Sequence, residues 1–130
     1  MEAVSLQRIL MIEDDLDIQA VARLALESLG GFTVEICSRG HEALDTAPAF
    51  GPDLILLDVM MPGMDGPTTL QHLRALPQTA AVPVAFMTAK VMPHEIEYYK
   101  TLGALEVIRK PFDPMTISET LTIIWNQHCV

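Results

Sequence analysis

Leu54-Ile55-Leu56-Leu57-Asp58-Val59-Met60-Met61-Pro62-Gly63 is the stretch that decides the fold. Four consecutive apolar residues leave no polar face, so a strand made from them must be covered on both sides. The run stops at a carboxylate, Asp58, and a Pro-Gly loop follows. A second unbroken run, Ile9-Leu10-Met11-Ile12, stops the same way, at Glu13-Asp14-Asp15. Strands buried on both faces belong to parallel sheets flanked by helices.

Working outward, further strands are predicted over 33–37, 82–87 and 107–109. Ile18, Val21, Ala22, Ala25 and Leu29 have the spacing of one helical face, ended by Gly30-Gly31. Residues 41–47 predict a short helix before Pro48. Asp65 is placed to cap a third helix with Pro67 in its first turn. Residues 92–102 predict a fourth, stopped by Gly103. Asp113 is read as the cap of a fifth, with Ile117, Leu121 and Ile124 on its inner face. The result is five βα units filling one expected domain, 1–130, of the α/β class.

Composition narrows the function. Half of the residues are apolar, enough for a packed core. Eight basic residues against seventeen acidic ones give a net charge of −9, which disfavours direct nucleic-acid binding. No run approaches the ~18 apolar residues of a membrane span. Residues 1–8 lack the basic-then-apolar pattern of a signal peptide, so a cytoplasmic location is expected. Cys37 and Cys129 form no CxxC pair and read as unpaired thiols, and the four histidines are too scattered for a metal site.

In a doubly wound sheet, ligands bind outside the carboxyl ends of the strands. Glu13-Asp14-Asp15, Asp58, Thr88 and Lys110-Pro111 all fall at such ends. Each alone has an ordinary reading: a helix N-terminal charge cluster, a turn hydroxyl, a solvated lysine. Asp58 is harder to dismiss, since an unpaired carboxylate against a buried strand costs free energy. Neighbouring acids would raise its proton affinity, and a hard divalent cation such as Mg²⁺ relieves that conflict. A carboxylate is also a nucleophile towards phosphorus. Mg²⁺ and Lys110 would neutralise phosphoryl oxygens, and Thr88 would donate a hydrogen bond.

From Arg8 to about Trp125 the sequence resembles the response-regulator receiver domains of two-component systems, the chemotaxis receivers among them. The likeness is carried by residues 9–15, by Pro52-Asp53 through Gly66, by Met87-Thr88-Ala89 and by Lys110-Pro111-Phe112. It implies a flavodoxin-like, doubly wound five-stranded parallel sheet of order 2-1-3-4-5 with five helices. It further implies that Asp58 accepts a phosphoryl group from a histidine kinase or histidine phosphotransfer protein, with Mg²⁺ as cofactor. Asp14 resembles the direct metal ligand, Glu13 one acting mainly through a metal-bound water, and the main-chain carbonyl of Met60 a third ligand. Thr88 and Lys110 resemble the hydroxyl and ammonium that contact the phosphoryl group, and a cis Lys110-Pro111 bond is implied. Asp15 has no role in that pattern. Output is expected through protein–protein contacts with a downstream target, with no enzymatic activity beyond self-phosphorylation and self-dephosphorylation.

One position departs from the family. An aromatic residue often stands three before the site lysine, and here it is Val107. Two other functions compete with the receiver. A phosphohydrolase with an aspartyl-phosphate intermediate usually has a second acid two residues after the nucleophile, where this chain has Met60. A degenerate receiver acting only as an interaction module would not need Glu13, Asp14, Asp58, Thr88 and Lys110 together. Met92, Tyr98 and Tyr99 are the candidate interaction residues.

Overall fold

The computed structural model describes residues 5–129, so residues 1–4 and 130 lie outside the description, as do the ends of the expected 1–130 domain and half of the segment read for a leader. Five strands alternate with helices: β1 (Arg8–Ile12), α1 (Leu16–Arg23), β2 (Thr33–Cys37), α2 (Gly40–Phe50), β3 (Leu54–Asp58), α3 (Gly66–Ala75), β4 (Val84–Thr88), α4 (Pro93–Thr101), β5 (Glu106–Arg109) and α5 (Ile117–His128). All pair in parallel in the order β2-β1-β3-β4-β5, the order that the resemblance implied. No helix among the described residues is long and apolar enough to cross a membrane.

The two apolar runs become the central strands. Leu54 and Leu56 face one layer with Ile9 and Met11, against Ala22, Leu26, Leu121 and Trp125 from the α1 and α5 side. Ile55 and Leu57 face the other with Leu10 and Ile12, against Ala43, Ala47, Leu70 and Leu73 of α2 and α3. This two-residue alternation with both faces apolar is why the runs contain no polar residue. Each such side chain contributes about 1.5–3 kcal/mol by leaving water.

Local chemistry starts the helices. Asp15 accepts hydrogen bonds from the Asp17 and Ile18 amides at 2.9 and 3.1 Å and so caps α1, which accounts for the third acid of the triplet. Asp65 caps α3 through the Thr68 amide at 2.8 Å.

Three expectations are corrected. The helix begun at Leu16 widens into π-type turns over Leu24–Leu29, where the Gly30 amide bonds the carbonyl five residues back, on Ala25, at 3.0 Å. The wider turns change the register, so Leu26 enters the core and Leu29 is 57% exposed. Val21, also assigned inward, is exposed at the edge of that face. Pro48 does not end α2, which continues to Phe50. Arg8 secures the turn beyond the proline: it lies over the Phe50 ring and donates to the Phe50 carbonyl at 2.7 Å, and Gly51 (φ 67°) makes the exit. Asp113 caps a separate turn through the Met115 amide, and α5 starts later, at Ile117.

The register change has a direct test. Leu26→Ala should cost about 2–5 kcal/mol in urea unfolding, and Leu29→Ala should stay within about 0.5 kcal/mol. The reverse order would restore a regular α-helix.

Candidate functional site: an acidic cluster at the carboxyl edge

Ile12 pairs with Leu57, so Glu13 and Asp14 leave β1 where Asp58 ends β3. This is where the strand order reverses, the place at which such sheets open a crevice. Oxygens of Glu13, Asp14 and Asp58 lie within 4.8 Å of one another, and this is the one group of His, Cys, Asp or Glu side chains among the described residues placed to share a cation. Glu13 and Asp58 are buried, at 0% and 3% exposure.

Lys110 reaches the acids from the end of β5. Its Nζ is 2.6 Å from Glu13 Oε1 and 3.3 Å from Asp58 Oδ1, and the Lys110-Pro111 bond is cis. The stronger contact is with Glu13, which therefore serves as counter-ion to the lysine. Burial pushes the Lys110 ammonium down, but its contacts with Glu13 and Asp58 outweigh that and hold it above its ordinary value. Three carboxylates facing one ammonium leave a surplus of negative charge in a poorly solvated place.

Asp58 carries the consequence. Burial first, and Glu13 second, push its carboxyl up to about 6, against the opposing pull of Lys110 and of the Met60 backbone amide. That amide contact is what the structure shows of Met60, whose side chain is exposed. Hard oxygen donors, a shared focus and a charge surplus are what a divalent cation of the Mg²⁺ class fits.

Thr88 ends β4 nearly buried, its hydroxyl accepting the Lys90 amide at 3.0 Å, while its carbonyl accepts the Lys110 amide at 2.9 Å. Val107 pairs with Phe86 and packs with it in the α2–α4 layer. Tyr99, expected among the interaction residues, is buried, edge-on to Phe86 with ring centroids 5.4 Å apart; Tyr98 and Met92 are exposed. Cys37 and Cys129 are free thiols.

Sequence reasoning missed two contributors. A Cβ on Gly66 would lie 2.5 Å from the Asp58 carbonyl oxygen and 2.8 Å from Val59 Cα, so this glycine lets α3 close onto the strand end. Gln19 bonds the Glu13 main chain from α1. A glycine at a helix start and a glutamine within one carry no distinctive signal in sequence.

Comparison with known proteins agrees with this geometry. Residues 9–122 match the response regulator receiver domain family. The DNA-binding response regulator MtrA of Mycolicibacterium paratuberculosis is 35% identical over 108 residues, 83% of this chain and 46% of that protein. Response regulator Rre1 of Synechocystis is 35% identical over 107 residues, 82% of this chain and 46% of that protein. The chain thus spans about half the length of these curated relatives. Among solved structures, the Vibrio cholerae chemotaxis protein CheY4 superposes with a TM-score of 0.84 at 29% identity, covering 92% of this chain and 99% of that one. The chain belongs to the response regulator receiver domain family of two-component systems.

The raised Asp58 carboxyl gives a pH signature. In the folded chain it holds its proton up to about pH 6, while in the unfolded chain it loses it near the ordinary 3.8. Its ionisation therefore opposes folding above about pH 6, and the cost fades as pH falls towards 4. In metal-free buffer at pH 7.5, Asp58→Asn should be more stable than the parent by on the order of 1–3 kcal/mol. At pH 4 the gain should be nearly gone. Urea unfolding in EDTA at both values checks this, and an Asn variant less stable than the parent at pH 7.5 would contradict it.

Proposed function

We propose that this chain is a Mg²⁺-dependent phosphoryl acceptor that takes the group from a phosphohistidine of a histidine kinase or phosphotransfer protein onto Asp58. The observation that carries the reading is Asp58 itself. It is buried and pushed up to about 6, yet grouped with two further acids and within 3.3 Å of Lys110.

Glu13, Asp14, Asp58 and the Met60 main-chain carbonyl would hold the cation, which when bound supplies charge neutralisation for phosphoryl oxygens. An Asp58 carboxylate oxygen attacks phosphorus, the P–N bond to the donor imidazole breaks, and its electron pair stays on that nitrogen. Lys110, already beside Asp58, neutralises the incoming charge. The Thr88 hydroxyl is free to exchange its contact with the Lys90 amide for one to a phosphoryl oxygen. An apolar hollow of about 440 Å³ between Ile18, Val21, Pro111 and Phe112 flanks Lys110 and offers a protein donor a surface beside the acceptor. This reading makes the chain a cytoplasmic switch acting on a downstream protein. It is not an enzyme towards external substrates, since Met60 supplies no second acid for turnover.

Incubation with acetyl phosphate and Mg²⁺ should add one phosphoryl group by intact mass, and EDTA should abolish the addition. Asp58→Asn should add none. Equal labelling of that variant would move the acceptor elsewhere, and sustained release of phosphate from unrelated phosphomonoesters would favour a hydrolase.

A further inference from the structure

Gln19 lies on α1, half-buried and outside the acidic cluster. Its side-chain Nε2 donates to the main-chain carbonyl of Glu13 at 2.5 Å and to Ser38 Oγ, just beyond β2, at 3.0 Å. Glu13 is fixed at its other polar groups as well. Its amide donates to the Cys37 carbonyl at 3.0 Å, and its carboxylate accepts the Asp15 amide at 3.0 Å and Lys110 at 2.6 Å. Gln19 is the group that holds the remaining one, the carbonyl.

That carbonyl belongs to the peptide unit joining Glu13 to Asp14. The unit is planar, so holding its oxygen fixes the direction in which the chain enters Asp14. Among the described residues no hydrogen bond or ion pair holds the Asp14 carboxylate itself, so what the fold fixes there is the backbone, which sets where the Asp14 Cα–Cβ bond points. We infer that Gln19 is a positioning residue of the cation site: its amide sets the plane between Glu13 and Asp14 and so aims Asp14 at Asp58. The inference rests on the reading of these acids as Mg²⁺ ligands. It also gives the Ser38 loop a bond to the site that does not pass through the sheet.

A merely structural Gln19 would matter for helix docking and nothing else, and the two roles separate in a Mg²⁺ titration followed by amide NMR shifts. Gln19→Met and Gln19→Leu keep the bulk and remove the donor. Both should weaken Mg²⁺ binding about tenfold, the scale seen when a partner that orients a ligand is lost. Ser38→Ala, which spares the Glu13 contact, should change it less than about twofold. Melting temperatures in EDTA should be alike for all three variants. With acetyl phosphate, the two Gln19 variants should label slowly at low Mg²⁺ and regain the parent rate at saturating Mg²⁺. Parent-like Mg²⁺ affinity in both Gln19 variants, with binding lost in Asp14→Ala, would overturn the inference and leave the site reading intact. A rate that saturating Mg²⁺ does not restore would overturn it too. A parent chain that gives no Mg²⁺ response would overturn the site reading and this inference together.

Discussion

The structure turns on an unfavourable contact that the fold enforces. Three carboxylates meet at one sheet edge, two of them buried, with one ammonium among them. Water would screen such a group cheaply, but the packed strand ends leave Glu13 and Asp58 buried. The conflict is local, yet the whole sheet produces it. The reversal of strand order between β1 and β3 sets Glu13 beside Asp58, and β5 delivers Lys110 from the far side of β4. Core packing supplies the free energy that holds these charges together, and the charges in turn make the edge receptive to a cation and a phosphoryl group.

Lys110 is shared within this arrangement. At 2.6 Å from Glu13 and 3.3 Å from Asp58, it is tied first to an acid that is not the acceptor. Glu13 thus keeps the ammonium in place whether or not Asp58 is charged. On the output side, Val107 pairs with Phe86, and the ring packed edge-on against Phe86 is Tyr99 of α4. In this chain the aromatic contact beneath α4 is made by the helix itself, with a stiff β-branched residue on β5.

Much of this could be read from the chain because its strongest signals are local. Unbroken apolar runs at 9–12 and 54–57 dictate two-faced burial, and Asp65 with Pro67 dictates a helix start. The acids and Thr88 are identifiable because they stand at the ends of apolar runs, and Lys110 because it closes the last predicted strand. What escaped depends on tertiary packing. The π-type turns at Leu24–Leu29 exchange Leu29 for Leu26 in the core, and spacing rules assume a regular 3.6-residue period. Pro48 reads as a helix stop, but a distant Arg8 secures the turn beyond it. Gly66 and Gln19 matter through what they approach in space, Asp58 and Glu13, across loops whose course only the folded chain sets.

Burial and neighbouring charge raise the proton affinity of Asp58, and a cation bound beside it lowers that affinity again. Carbon-detected NMR of the Asp58 side-chain carboxyl, titrated with and without Mg²⁺, addresses this most directly. In EDTA the carboxyl should titrate near pH 6, and in millimolar Mg²⁺ its midpoint should fall below about pH 5, since an opposite charge favours the ionised form. A carboxyl that titrates near pH 4 in both conditions would contradict it.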